Sequence, residues 1–184
     1  MQLTRRDAAA ALAALGAGGA VAFGAERIGR SAPGDPASDS GSGSRPSDER
    51  LRTTLVAAAD VIYPSDVSGV EAFVEGFLDG RLDRSEHASG LRNAVGKLDD
   101  RAVSWHGDRF AALSAADRDR LLREIGADTA EEDPDGTAAE RIRYYVVNEL
   151  LLALYASPTG GELVGLENPQ GHPGGTESYR RRPP

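Results

Sequence analysis

The chain has 184 residues, a formal net charge of -8 and no cysteine. The lack of cysteine excludes disulfides, thiolate metal sites and cysteine nucleophiles. Because nucleic acids and anionic lipids repel an acidic chain, neither is expected as a partner.

The charge is distributed unevenly along the chain. Residues 1–30 carry four Arg against one Asp and one Glu, a net of +2, so the remainder carries -10. Of the 21 basic residues, only Lys97 is lysine. This acidic, lysine-poor composition resembles that of a halophilic archaeon, although a GC-rich genome produces the same preference for Arg.

The first thirty residues resemble an export signal. Arg5 and Arg6 precede the uncharged stretch Ala8–Phe23, and Ala20-Val21-Ala22 is a candidate cleavage site. A basic start, an apolar middle and a small-residue site are typical of a signal segment, and the paired arginines favour the twin-arginine type. Ala8 and Ala9 stand where Phe-Leu is usual. The alternative is an ordinary amphipathic N-terminal helix.

Residues 31–47 are rich in Ser, Gly, Pro and Asp and are expected to form a disordered linker. The folded domain is therefore predicted over residues 48–184. Its length of about 137 residues is enough to build a single hydrophobic core. Its apolar residues recur at helical spacing, which predicts an all-α bundle of about five helices.

The first two predicted helices have recognisable starts and ends. One follows Ser47 as its N-cap and stops before Pro64. The next is expected to begin with the capping box Ser68-x-x-Glu71 and to end near Gly80.

Two further helices follow. The third is predicted over residues 86–105, where Gly90 and Gly96 favour a kink or a break. The fourth has Ser114 and Asp117 in capping-box positions and Gly126 as its C-cap.

The fifth helix is the most apolar segment of the domain. It is predicted to run from Thr137, with Glu140 completing a capping box, to Tyr155. Apolar residues cover more than one stripe of it, which indicates a central helix or one that contacts another subunit. From Ser157 onward the Gly- and Pro-rich sequence predicts an irregular tail.

No sequence motif indicates a self-contained active site. Nucleotide-binding glycine motifs, a nucleophile elbow and Glu-x-x-His di-iron motifs are all missing from the sequence. His87 is expected to be solvated. A second hypothesis, a stand-alone exported enzyme or ligand-binding bundle, would need His172, Asp60 and Glu149 to converge in one pocket.

Several short motifs, taken in order, resemble the gluconate 2-dehydrogenase subunit 3 family. They are Leu55-x-x-x-x-Asp60-Val-Ile-Tyr-Pro64, Gly69-Val-Glu-Ala-Phe-Val-x-x-Phe-Leu78, Phe110-x-x-Leu113-Ser-x-x-Asp-Arg-Asp-x-Leu-Leu122 and Ser157-Pro-Thr-Gly-Gly161. The resemblance covers about residues 50–173. The chain departs from the family just after Gly161, where Leu163-Val-Gly165 replaces a Trp-containing stretch.

The resemblance implies a non-catalytic accessory subunit, with no cofactor, metal or catalytic residue of its own. Its partners would be a large FAD-dependent subunit of the GMC type, a cytochrome c subunit carrying haem c, and the twin-arginine translocase. The complex would lie at the extracytoplasmic face of the cell membrane. A third hypothesis is a secreted structural domain that self-associates.

The fifth helix and the tail are expected to contact the partner. The predicted partner-binding residues are Tyr144, Tyr145, Leu151, Leu152, Tyr155, Pro158, Gly160, Gly161 and His172.

Overall fold

A computed structural model describes residues 1–17, 46–82 and 85–165. These residues form an all-α fold, in which the one β-type contact is an isolated parallel bridge between Gln2 and Ser68. The helices are α1 (Arg5–Ala17), α2 (Asp48–Ile62), α3 (Val70–Arg81), α4 (Ser85–His106), α5 (Ala115–Ile125), α6 (Ala138–Ile142), α7 (Glu149–Ala156) and α8 (Pro158–Leu163). The prediction of an all-α fold is confirmed.

Most of the predicted helix ends are present. The side chain of Ser47 accepts a hydrogen bond from the Arg50 amide at the start of α2, and Ser114 caps α5 in the same way. Thr137 and Glu140 form a complete capping box at the start of α6. These caps satisfy backbone amides that have no partner within the helix, which is why they could be recognised from sequence.

Helix α2 lies at the centre of the bundle and contacts α3, α4, α5 and α7. Its consecutive residues Ala57, Ala58 and Ala59 are all buried, because small side chains let neighbouring helices approach it from several directions. Phe73, Phe77 and Phe110 are fully buried and fill the space around it. The central helix is therefore α2, whereas α7 keeps part of its apolar surface exposed.

Two details of α3 and α4 differ from the prediction. Helix α3 begins after Gly69, which has a φ of 75° and makes no side-chain cap, and the Ser68 hydroxyl bonds instead to the Met1 carbonyl oxygen. Helix α4 continues without a break through Gly90 and Gly96. A Cβ at Gly90 would overlap the Tyr145 ring, so this glycine provides close packing and not a hinge.

The predicted fifth helix is present but is not a uniform α-helix. A π-helical segment, Arg143–Asn148, joins α6 to α7. The expectation of an irregular tail from Ser157 is wrong for the residues of α8, because Ser157 caps this short helix through Gly160 and Pro158 occupies its first turn. Proline at that position removes no hydrogen bond from the helix, because an amide in the first turn has no partner within the helix.

The N-terminal segment was predicted to lie outside the folded domain. The structure instead packs residues 1–17 against it, with α1 contacting α3, α7 and α8. The predicted linker falls almost entirely, and the tail beyond Gly165 including His172 entirely, outside the described residues. Among the helices that are described, none combines the length and the apolar character that a membrane span requires.

Candidate functional site

A cavity of about 560 Å³ opens where the end of α3, the start of α4, the π-helical segment and α7 meet. It is lined by Arg81, His87, Glu132, Tyr144, Asn148, Glu149, Leu151, Leu152 and Tyr155. Its size lies within the range of small-molecule or side-chain binding sites. π-Helical turns are rare and often occur at functional sites. The π-helical segment beside this cavity therefore makes the cavity a candidate functional site.

A buried ion pair forms the inner wall of the cavity. Both Arg81 and Glu149 are buried, and Arg81 Nη2 donates to Glu149 Oε2 at 2.8 Å while its Nε donates to Oε1. The planar guanidinium thus meets the carboxylate with two parallel hydrogen bonds. This bidentate geometry fixes the end of α3 against the start of α7.

His87 lies beside this pair. It was expected to be solvated, but the structure places it in a half-buried position. Its Nε2 is 3.4 Å from Glu149 Oε1, without the geometry of a hydrogen bond, and it has no other partner among the residues that the structure describes. Its ring packs on Tyr145 at a centroid distance of 5.5 Å. Tyr145 is held in turn against Gly90, so the packing of α4 on the π-helical segment positions the imidazole.

The pKa of Glu149 lies below its ordinary value of 4.5. Burial by itself would raise this pKa, but the nearby His87, the hydrogen bonds from Arg81 and the positive charge of Arg81 lower it by more. Glu149 is therefore a carboxylate at neutral pH. Its charge stabilises the wall of the cavity and is already matched by Arg81.

The outer half of the cavity is apolar. Leu152 is 48% exposed and Tyr155 is 44% exposed, while Leu151 and Tyr144 are half-buried beside them. On the opposite side, Glu132 accepts a hydrogen bond from the Asn148 side chain and adds a negative charge. The cavity thus combines an aliphatic and aromatic rim with an acidic edge, a surface suited to an amphipathic or cationic group.

A second cavity, of about 500 Å³, lies between the start of α2 and the end of α4. Its buried carboxylate, Asp99, accepts hydrogen bonds from Arg50 Nε at 2.6 Å and from the Phe110 amide at 3.1 Å. Both bonds connect elements of the bundle. The buried charge of Asp99 is therefore explained by hydrogen bonds that stabilise the bundle, and it does not indicate a binding site.

Four of the predicted partner-binding residues line the first cavity together: Tyr144, Leu151, Leu152 and Tyr155. Tyr145 faces His87 and α4 instead. Gly160 and Gly161 are buried within α8, where a Cβ at Gly160 would overlap the Leu154 carbonyl. Pro158 is in the first turn of the same helix, and the predicted signal residues Arg5 and Arg6 are exposed on α1.

The three residues of the stand-alone hypothesis do not all converge. Glu149 lines the cavity, but Asp60 lies on α2 with its side chain half exposed, 3.7 Å from Arg118. His172 lies outside the described residues. Within residues 1–17, 46–82 and 85–165 there is no group of three or more acidic or His side chains that could hold a metal ion.

Sequence reasoning missed Arg81 and His87, although a signal existed for the first. Arg81 follows Phe77 by four residues and so falls on the buried stripe of α3. Glu149 likewise shares a stripe with Val146 and Ala153. A charge on each of two apolar stripes requires a buried partner, and the two charges satisfy each other.

Comparison with known proteins identifies the family. The profile of the family described as "Gluconate 2-dehydrogenase subunit 3" matches residues 49–174. Comparison with curated proteins and with solved structures gave no match. The matched segment contains α2 apart from its first residue, α3 to α8 and every residue that lines the first cavity, and it spans more than half of the sequence. The chain therefore belongs to the gluconate 2-dehydrogenase subunit 3 family.

Proposed function

We propose that the chain is a non-catalytic accessory subunit of a gluconate 2-dehydrogenase-like complex, and that it assists export, assembly or stability of an FAD-dependent GMC-type subunit. The observation that carries this proposal is the family match over residues 49–174. The flavin belongs to the large partner subunit, and haem c belongs to a cytochrome subunit. The role of this chain is to bind the flavoprotein.

The docking face of this proposal consists of Tyr144, Leu151, Leu152 and Tyr155. Two of these large side chains are close to half exposed beside a cavity that could accept a side chain of the partner. Aromatic and aliphatic anchors that fill pockets contribute most of the energy of protein interfaces. The net charge of -8 and the acidic edge at Glu132 favour a partner surface with a cationic side chain beside an apolar patch.

The complex is proposed to reach the extracytoplasmic face of the cell membrane through the twin-arginine translocase. Support comes from the paired Arg5 and Arg6, which precede an uncharged, alanine-rich stretch and which are exposed. This route suits the proposed role, since twin-arginine substrates cross the membrane already folded and a bound partner can cross with them.

Co-purification tests the docking face. The chain is expressed with the FAD-binding oxidoreductase encoded next to it, as wild type and as Leu152→Asp. Val103→Asp is the matched control, because Val103 on α4 is also 48% exposed but does not line the cavity. We expect Leu152→Asp to weaken binding by roughly 30-fold, the loss typical of an interface hot spot. The control should bind like wild type.

Two results would refute the proposal. One is that the chain elutes alone and the neighbouring oxidoreductase is exported and active without it. The other is that Val103→Asp and Leu152→Asp reduce binding equally. A homodimer of the chain, disrupted by Leu152→Asp, would favour the self-association hypothesis instead.

A further inference from the structure

The first residues of the chain are fixed to the loop that precedes α3. The amino group of Met1 donates to the Asp66 carbonyl oxygen at 2.6 Å. The Ser68 amide donates to the Met1 carbonyl oxygen at 2.8 Å, and the Leu3 amide donates to the Ser68 carbonyl oxygen at 2.7 Å. Leu3 itself is 2% exposed. The segment is therefore held by backbone pairing as well as by apolar burial.

Helix α1 then packs closely along α3. Ala8 and Ala11 are fully buried. A Cβ at Gly76 would lie 3.3 Å from the Ala8 Cβ, and a Cβ at Gly80 would overlap the Leu12 side chain. Glycine at these two positions, one turn apart on α3, provides the space that α1 occupies.

A polar contact fixes the start of α1 to α8. Asp7 is 8% exposed, and its Oδ2 accepts hydrogen bonds from the Thr4 amide and hydroxyl, both at 2.7 Å. Its Oδ1 accepts a hydrogen bond from the Thr159 hydroxyl at 3.2 Å. Asp7 thus caps its own helix and also bonds to α8, through a residue that is 152 positions away in the sequence.

The two arginines remain outside this contact. Arg6 is exposed, and the Arg5 side chain is 76% exposed, with Glu75 no closer than 4.0 Å. Docking therefore buries the apolar face of the segment and leaves the cationic face in water.

We propose that the folded domain binds its own N-terminal segment as an intramolecular ligand. While the segment is docked, its apolar face is buried against α3 and is not available to the export machinery. The same face cannot be buried against α3 and bound by a translocase or a membrane at once. The apparent affinity of an export receptor is then reduced by the fraction of chains that are docked. The effect on export rests on the proposed twin-arginine route, whereas docking itself does not.

Hydrogen exchange on the full chain tests docking. In wild type, the amides of residues 9–14 are expected to exchange at least about tenfold more slowly than in the variant Gly76→Leu/Gly80→Leu. Leucine fills the space that α1 needs and favours the helical state of α3. Gly96→Leu is the control, because a Cβ there meets only Pro46, at 3.8 Å. Fast exchange of residues 9–14 in wild type would overturn the proposal.

A second measurement needs no substitution in the bundle. A protease site placed between residues 31 and 44 of the full chain allows the N-terminal segment to be cut from the domain. Co-elution of the two parts after cleavage supports docking. Separate elution overturns it, even where the double leucine variant fails to fold.

A third experiment tests the effect of docking on export. It compares the rates at which wild type and the Gly76→Leu/Gly80→Leu variant leave the cytoplasm. We expect the double leucine variant to be exported several-fold faster than wild type and Gly96→Leu to match wild type. Equal rates, with docking verified by exchange, would overturn the proposed effect of docking on export. Export of neither form would refute the proposed route and leave docking supported by the exchange result.

Discussion

Replacing Glu149 by Gln tests whether the ion pair at the cavity wall contributes to stability through charge. Gln keeps the shape of Glu but leaves the buried Arg81 guanidinium without a counter-charge. Removing one partner of a buried ion pair usually costs about 3–5 kcal/mol of unfolding free energy. We expect about 3 kcal/mol, because the amide oxygen can still accept one hydrogen bond. In a chain of this length that corresponds to about 6–12 °C in Tm.

The loss of stability caused by Glu149→Gln should become smaller as the pH falls. The pKa of Glu149 is lower in the folded protein than its ordinary value of 4.5. Its contribution to stability is therefore fully present above about pH 4.5 and is lost as the pH falls through the lower, folded-state pKa. Below that pKa the wild-type carboxyl is neutral like Gln. The difference in stability between wild type and Glu149→Gln should narrow in acid.

Urea denaturation of the full chain at pH 7 and at successively lower pH values measures both effects. The double variant Arg81→Met/Glu149→Leu is the control, since replacing both charges by apolar groups usually costs little or even stabilises. We expect it to be within about 1 kcal/mol of wild type. A Glu149→Gln variant as stable as wild type at pH 7, or a difference that grows in acid, would refute this reasoning.

Two further predictions concern the packing around the cavity. Gly90→Ala should cost about 1–3 kcal/mol of unfolding free energy because its methyl group overlaps the Tyr145 ring. Gly96→Ala should instead stabilise by up to about 1 kcal/mol, because its methyl group makes only an ordinary contact with Pro46, at 3.8 Å. Thermal melts of both variants distinguish them. Tyr63→Phe should cost about 1–3 kcal/mol, since the Leu150 carbonyl oxygen loses the buried hydroxyl that donates to it at 2.9 Å. Burial, and next the charge of Glu149, raise the pKa of Tyr63 above its ordinary 10.0, so wild type should lose more stability than the variant as the pH rises past 10. Denaturation at pH 9 and pH 11 measures this, and identical losses in both proteins would contradict it.

Local sequence signals predicted the helices well where the chemistry is local. Ser47, Ser114, Thr137 and Gly126 act within one turn of the helix end that they cap, so each could be recognised from a few neighbouring residues. Ser68 failed as a signal because its amide and hydroxyl bond to Met1, which is 67 residues away. A capping pattern cannot reveal a competing partner so distant in sequence.

The candidate site shows the same division. The sequence indicated that Tyr144, Leu151, Leu152 and Tyr155 share an apolar surface, because helical periodicity places them near one another. Nothing in their spacing predicts the π-helical segment that precedes α7. The position of His87 against that segment also depends on how α4 packs, which no local pattern encodes.

The sequence by itself therefore determined the helical class, most helix ends and the apolar surface of the last long helix, because these follow from contacts within about one turn. Tertiary structure alone decided that Arg81 faces Glu149, that Gly90 accommodates Tyr145 and that residues 1–17 pack on α3. Each of these depends on the close approach of two helices distant in sequence. Their side chains could meet only after the bundle had brought the helices together.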